Sequence, residues 1–500
     1  MTLAEGTDEP RHDLVRECPP DDSPPLPFTY SHALGVLGGW PDGAPFDGRC
    51  FVSAWPELRQ ARTVRAGRAP GTVVRCGLMD TMLADIPVSV VFVYASAPDE
   101  DRMADGLASA LAQLPVFAGR LRETPDSLEI VCDDSGVPMM SYELDGTLAA
   151  TIGRLALPGS DYVDHVPAPA TRAGELPLLT VRITRLSDGG MVMGCSWHHA
   201  VGDMQTFMLL MRTWSACVEG TPLPDTYVIQ DMDTFLEDRL PTEDSGRPGF
   251  RLPSPEDAVE VNRELENAVR ANRIVQAYFS DDEVSRIRAE ITAAARQRLS
   301  TNDVLCGHLV STIRRLDDDP EGRWLAIPIN IRRYLGVEPG TLGNLVNEVF
   351  LSCAPKSTAD RLAVDIRAAV NAYGPTSLNI RTNRAFLESV GRSRLRECIP
   401  IGFDPAQRTF TTTNWTRFGV YDVVFDGEAP TFFSPATNLA LPWVSWLAEG
   451  FHNAGYLFMV ALPAKLASRL RSTEGRAALH AYRDPDEELP ELVLSIKKMV

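Results

Sequence analysis

Residues 179–220 limit most sharply what this chain can fold into. Leu179-Thr180-Val181-Arg182-Ile183-Thr184 alternates in polarity, which predicts a half-buried strand. Ser187-Asp188-Gly189-Gly190 is hairpin-turn chemistry, and Met191 to Cys195 is the return strand. Phe207, Leu210, Met211, Trp214 and Val218 then recur at helical spacing until Gly220 ends the run. That stripe reads as core rather than as a cofactor site. The return strand therefore feeds straight into an amphipathic helix. At the junction stands Cys195-Ser196-Trp197-His198-His199-Ala200-Val201-Gly202-Asp203. Rigid elements hold these side chains there, yet leave them able to face a cleft.

A bare His-x-x-x-acid carries no information: 8 His and 67 acids in 500 residues supply about one by chance. A His-His doublet with the acid in that register lowers the chance expectation to roughly 0.02, so the spacing is informative. Cys195 reads as a small buried strand residue rather than a nucleophile.

The chain exceeds one ordinary core, so two domains are expected. The reading is a flexible tail over 1–27, an N-terminal domain over 28–218, a polar, Pro-rich crossover over 219–275 and a C-terminal domain over 276–500. A Gly/Pro-rich stretch runs from Gly35 to Gly48. Val88 to Tyr94 is a buried strand, and Met103 to Leu114 is a helix stopped by Pro115. Ser280 and Ser300 are N-caps of two helices, Leu325 to Ile329 is a strand, and Gly455 to Leu462 is a late one. Pro463 to Tyr482 reads as a single final helix.

A net charge of −19 argues against nucleic acid and anionic membranes as partners. No apolar run nears the ~18 residues of a membrane span. The nine Cys are scattered without a Cys-x-x-Cys pair, so no metal site and no disulfide framework is expected. Reduced thiols and the lack of a signal-like start point to a cytoplasmic protein.

From His198 to Asp203 the chain resembles the BAHD acyltransferases and their superfamily, which includes chloramphenicol acetyltransferase and condensation domains. Further segments resemble that family in its own order: Leu114-Pro115-Val116-Phe117-Ala118-Gly119-Arg120-Leu121, Ser300 to Cys306, Asn330-Ile331-Arg332 with Gly343-Asn344, and Asn414-Trp415 with Tyr421-Asp422. Two departures stand out. Met204 follows Asp203 where Gly is usual. Val424-Phe425-Asp426-Gly427-Glu428 stands where Asp-Phe-Gly-Trp-Gly is expected, with only Phe425 matching. The departures point to a diverged member close to trichothecene-type acetyltransferases.

The resemblance implies an α/β fold of two similar chloramphenicol-acetyltransferase-like domains, with mixed sheets flanked by helices and an active-site tunnel at their interface. It implies His199 as general base, His198 as a packed or orienting neighbour, and Asp203 as a structural residue bonded to an Arg. Arg332 is expected to pair with the second motif's acid, which leaves Asp422 or Asp426 to serve it here. Thr413 and Trp415 are implied near the oxyanion, although Thr413 is also a plain strand residue. Ser280, Arg288 and Thr301 are implied contacts of coenzyme A. Acyl-CoA is then a co-substrate with no permanently bound cofactor, the other partner is a small-molecule acceptor, and the protein is a monomer. Two alternatives remain: transfer from an acyl carrier protein, and a cyclase or binding relative that uses the same tunnel.

Overall fold

The computed structural model describes residues 56–155, 162–240, 248–373, 379–436, 441 and 443–495. The expected tail, the stretch from Gly35 to Gly48 and Pro241 lie outside the described residues.

Two six-stranded mixed sheets organise the chain. The first runs in the order Glu57–Val64, Val137–Leu144, Leu179–Leu186, Met191–His198, Pro87–Tyr94 and Pro430–Pro435. Only Val137–Leu144 and Leu179–Leu186 lie parallel in it. The second runs Asn272–Phe279, Tyr456–Pro463, Val444–Glu449, Thr409–Asn414, Arg323–Asn330 and Val346–Cys353. There Thr409–Asn414 is parallel to both its neighbours. The fold is α/β with two sheet-containing domains, as expected.

Each sheet buries one face under helices. Glu100–Gln113 and Met204–Glu219 cover the first, placing Met103, Leu107, Phe207 and Trp214 against Phe92, Val181 and Met193. The Trp214 indole N–H donates to the Met103 carbonyl at 2.7 Å, so its one polar atom is satisfied inside the core. Thr301–Leu316 and Ala359–Ala372 cover the second sheet through Leu305, Leu309, Leu362 and Ile366.

Local chemistry sets the ends of these elements. The hairpin closes at Gly189 and Gly190, with the Leu186 N–H bonded to the Gly190 carbonyl at 2.9 Å. Ser280 and Ser300 cap their helices by accepting from the N–H groups of Glu283 and Asp303. Gly220 ends Met204–Glu219 in the left-handed conformation.

Four expectations change. Leu179–Leu186 is buried on both faces rather than half-buried, because the segment at Asp164 covers Thr180 and Arg182. The first expected helix begins earlier, at Glu100, since Asp99 caps it through the N–H groups of Asp101 and Arg102. The final helix is two, Ala464–Arg471 and Thr473–Leu479, because Ser472 is extended and caps a new start. The crossover carries a 17-residue helix, Pro255–Ala271, and bonds Tyr227 to the backbone of Gly340 and Leu342. In addition, Pro430–Pro435 lies within the span expected as the second domain yet completes the first sheet.

Candidate active site

Strand Met191–His198 ends in one 3-10 turn, His199–Val201, before Asp203 caps the next helix. Gly202 makes this reversal with φ +152°, and a Cβ there would run into Thr206. The Trp197 indole donates to the Gly202 carbonyl at 3.1 Å, and its ring stacks on Phe207 with centroids 4.1 Å apart. The turn is therefore fixed from both sides.

The two histidines have opposite environments, since adjacent residues leave a strand on opposite sides. His198 is fully buried. Its Nδ1 accepts from the Ala200 N–H at 3.1 Å, and its Nε2 lies 3.3 Å from the Ala168 carbonyl. Burial pushes its pKa down to about 4, so it is neutral, carrying its proton on Nε2. Both ring nitrogens of His198 thus face backbone groups inside the protein. His199 lines a cavity. Among the described residues its Nδ1 is buried without a hydrogen-bond partner, which leaves Nε2 as the nitrogen that reaches the cavity. Burial lowers its pKa as well, against opposing contributions from its own backbone, Asp203 and Asn344.

Asp203 faces away from the ring. Arg332 grips its carboxylate with two prongs, Nη1 to Oδ2 at 2.8 Å and Nη2 to Oδ1 at 3.0 Å. The remaining lone pairs accept from the N–H groups of Thr206 and Leu345. Arg332 also donates to the carbonyls of Thr341 and Gly343. The expected pairing of Arg332 with Asp422 or Asp426 is thereby corrected. Asp426 is engaged instead by Arg102 and by the Asp99 N–H. Phe425, the residue retained from the second motif, is wholly buried against Trp214 and Tyr94.

The cavity has a volume of about 710 Å³ and lies between the two sheets. One wall comes from the first half, through Ile86, Val88, Trp197 and His199. The other comes from the second half, through Ile329, Val346, Thr413 and Trp415. Thr413 and Trp415 sit where strand Thr409–Asn414 ends. Both line the cavity, and among the described residues the Thr413 hydroxyl and the Trp415 indole N–H have no hydrogen-bond partner. Asn414 also lines the cavity, but its amide is engaged, donating to Asn302 at 2.7 Å.

The structure thus brings His199, Asp203, Thr413 and Trp415 to one cavity. It does not bring Ser280, Arg288 or Thr301 there. Ser280 caps helix Asp281–Ala295 and bonds Glu487, Arg288 is exposed on that helix, and Thr301 is half-buried at the start of the next. Sequence reasoning missed two residues. Asn344 donates to the His199 carbonyl at 2.8 Å and to Asp80 at 2.7 Å. Glu348 places a carboxyl on an otherwise largely apolar wall. Gly343-Asn344 was visible as a motif, but nothing in the spacing gave it a task. Glu348 had one signal, a lone acid within Val346-Asn347-Glu348-Val349-Phe350-Leu351. Among the described residues no group of His, Cys, Asp or Glu is arranged to hold a metal.

Comparison with known proteins adds to this geometry. The family model described as Transferase family matches residues 75–466. Agmatine coumaroyltransferase-1 of Hordeum vulgare is 24% identical over 410 residues, 78% of this chain and 91% of that protein. A pelargonidin 3-O-(6-caffeoylglucoside) 5-O-(6-O-malonylglucoside) 4'''-malonyltransferase of Salvia splendens is 24% identical over 368 residues, 69% of this chain and 79% of that protein. Among solved structures, F. graminearum TRI101 complexed with ethyl coenzyme A superposes with a TM-score of 0.65 at 14% identity. That match covers 81% of this chain and 98% of TRI101, and it shows a shared fold.

Proposed function

This chain belongs to the Transferase family, the BAHD acyltransferases, and from that premise we propose that His199 is the general base of acyl transfer from acyl-CoA to a small-molecule hydroxyl or amine. The observation that carries the reading is the cavity itself. His199 offers Nε2 from one sheet, while Thr413 and Trp415 offer two unused donors from the other.

Alcohols ionise near the ~15.7 of water and imidazole near ~6.5, so prior deprotonation would cost about 12 kcal/mol. The proton must therefore move to Nε2 while the new bond to the thioester carbonyl forms. The carbonyl oxygen gains negative charge at that moment, and the Thr413 hydroxyl and the Trp415 N–H are the candidate donors to it. The tetrahedral intermediate then collapses, the coenzyme A thiolate leaves, and the imidazolium returns the proton. No acyl-enzyme is required. Asp203 takes no proton; its pair with Arg332 holds the turn that presents His199.

Relatives are named for transfer to agmatine and to a glucoside oxygen, which supports both nitrogen and oxygen acceptors. The test is a panel of acyl-CoA donors against candidate alcohols and amines, following thiol release and product mass. Acceptor-dependent thiol release with a product heavier by the acyl group is the expected result. Conversion of a precursor alone, with no donor consumed, would overturn the reading.

A further inference from the structure

Glu348 lies on strand Val346–Cys353, and its side chain lines the cavity between the sheets. Its carboxyl makes no hydrogen bond and no ion pair among the described residues. Every other buried carboxylate close by is committed. Asp203 is held by Arg332, Asp80 by the Gly77 N–H and Asn344, and Asp404 by Arg251. The surroundings offer Glu348 nothing in return: burial alone pushes its pKa up to about 7, with no neighbouring charge or donor acting on it. Space has been left for it all the same. Gly402 faces the carboxylate, and a Cβ there would collide with its oxygens.

A carboxyl in a cavity wall without a partner costs stability, so it calls for an explanation outside the free protein. Its position supplies one. Asn344, which holds the His199 carbonyl, precedes Glu348 by four residues, at most ~14 Å of chain. His199 and Glu348 line the same cavity, so a ligand with its nucleophile at His199 can turn a second, distal group toward Glu348. A neutral hydroxyl there would gain only an ordinary hydrogen bond. A cation gains a charge-assisted one in a site shielded from water.

We infer that Glu348 is a specificity-determining residue that takes the distal ammonium or guanidinium of a cationic acceptor. This rests on the acyltransferase reading for the other end of the acceptor. The net charge of −19 would also draw such a molecule toward the protein.

The experiment compares wild type with Glu348→Gln and Glu348→Leu on two amines: 1,4-diaminobutane, which keeps a second charge after attack, and 1-aminopentane, which does not. Loss of kcat/KM by at least about 30-fold for the diamine, with less than about threefold change for the monoamine, is expected in both variants. Equal losses on the two amines, or no loss on either, would overturn the inference. A second readout needs no turnover. Calorimetry of 1-guanidinobutane, which lacks the nucleophilic amine, should show binding to wild type and at least about 30-fold weaker binding to Glu348→Gln. Equal binding to both, or none to wild type, would overturn the cation site. Binding that depends on Glu348 in a protein that releases no thiol from any acyl-CoA would instead remove the transferase reading and leave the site standing.

Discussion

Arg332 reaches from the second half of the chain to form a two-pronged ion pair with Asp203 in the first, both side chains 5% exposed or less. A buried pair is poor evidence of net stability, but breaking one leaves a charge stranded, at about 3–5 kcal/mol. Asp203→Ala is expected to lower unfolding stability in urea by that order. Arg332→Lys should not restore it, because an ammonium cannot supply the fork. An Asp203→Ala protein as stable as wild type would remove the structural role.

His199→Ala should lower acyl transfer by about a hundredfold or more while leaving the circular dichroism spectrum intact. The neighbouring change His198→Asn should spare the chemistry, since His198 bonds only backbone groups. Reversal of this order would exchange the two assignments.

Acidity gives two separate signals. Nε2 of His199 accepts a proton only when unprotonated, and burial lowers its pKa from 6.5. With a neutral acceptor, kcat/KM should fall on the acid side only below pH 6.5 and be level above pH 7; an acid limb centred above 6.5 would contradict His199 as base. His198 shows up in stability instead. Its pKa is about 4 folded and 6.5 unfolded. Above pH 6.5 both states are neutral and the residue contributes nothing. Below it the unfolded chain takes the proton first, so stability falls between pH 6.5 and 4 by about 3 kcal/mol in all. The slope of urea stability against pH in His198→Asn should be flatter over that window.

Asn344 holds the backbone carbonyl of the base and also acts on its ring, opposing the downward shift that burial gives it. Asn344→Ala should release the His199 carbonyl and shift the imidazole, lowering kcat by about tenfold to a hundredfold with KM nearly unchanged. A rise in KM alone would make Asn344 a substrate contact instead.

The hairpin and helix were legible because Leu179 to Gly220 shows both periods, and the two-sheet α/β fold because several segments resembled one family in its own order. Caps at Ser280 and Ser300 were legible because each acts within four residues. What escaped is long-range. Arg332 meets Asp203 across 129 positions, and no local pattern says which acid an arginine will find. The cover over Thr180 and Arg182 comes from Asp164, so alternation in that strand gave the faces but not their solvent exposure. Glu348 was hidden because its significance is a missing partner, which only a folded neighbourhood can display.

Strand Pro430–Pro435 is zipped to Pro87–Tyr94 in the first sheet, while Val444–Glu449 just beyond it belongs to the second. The halves are thereby laced together, and swinging them apart would mean unzipping a ladder. The cavity between them is therefore walled by two sheets that one segment of chain ties together.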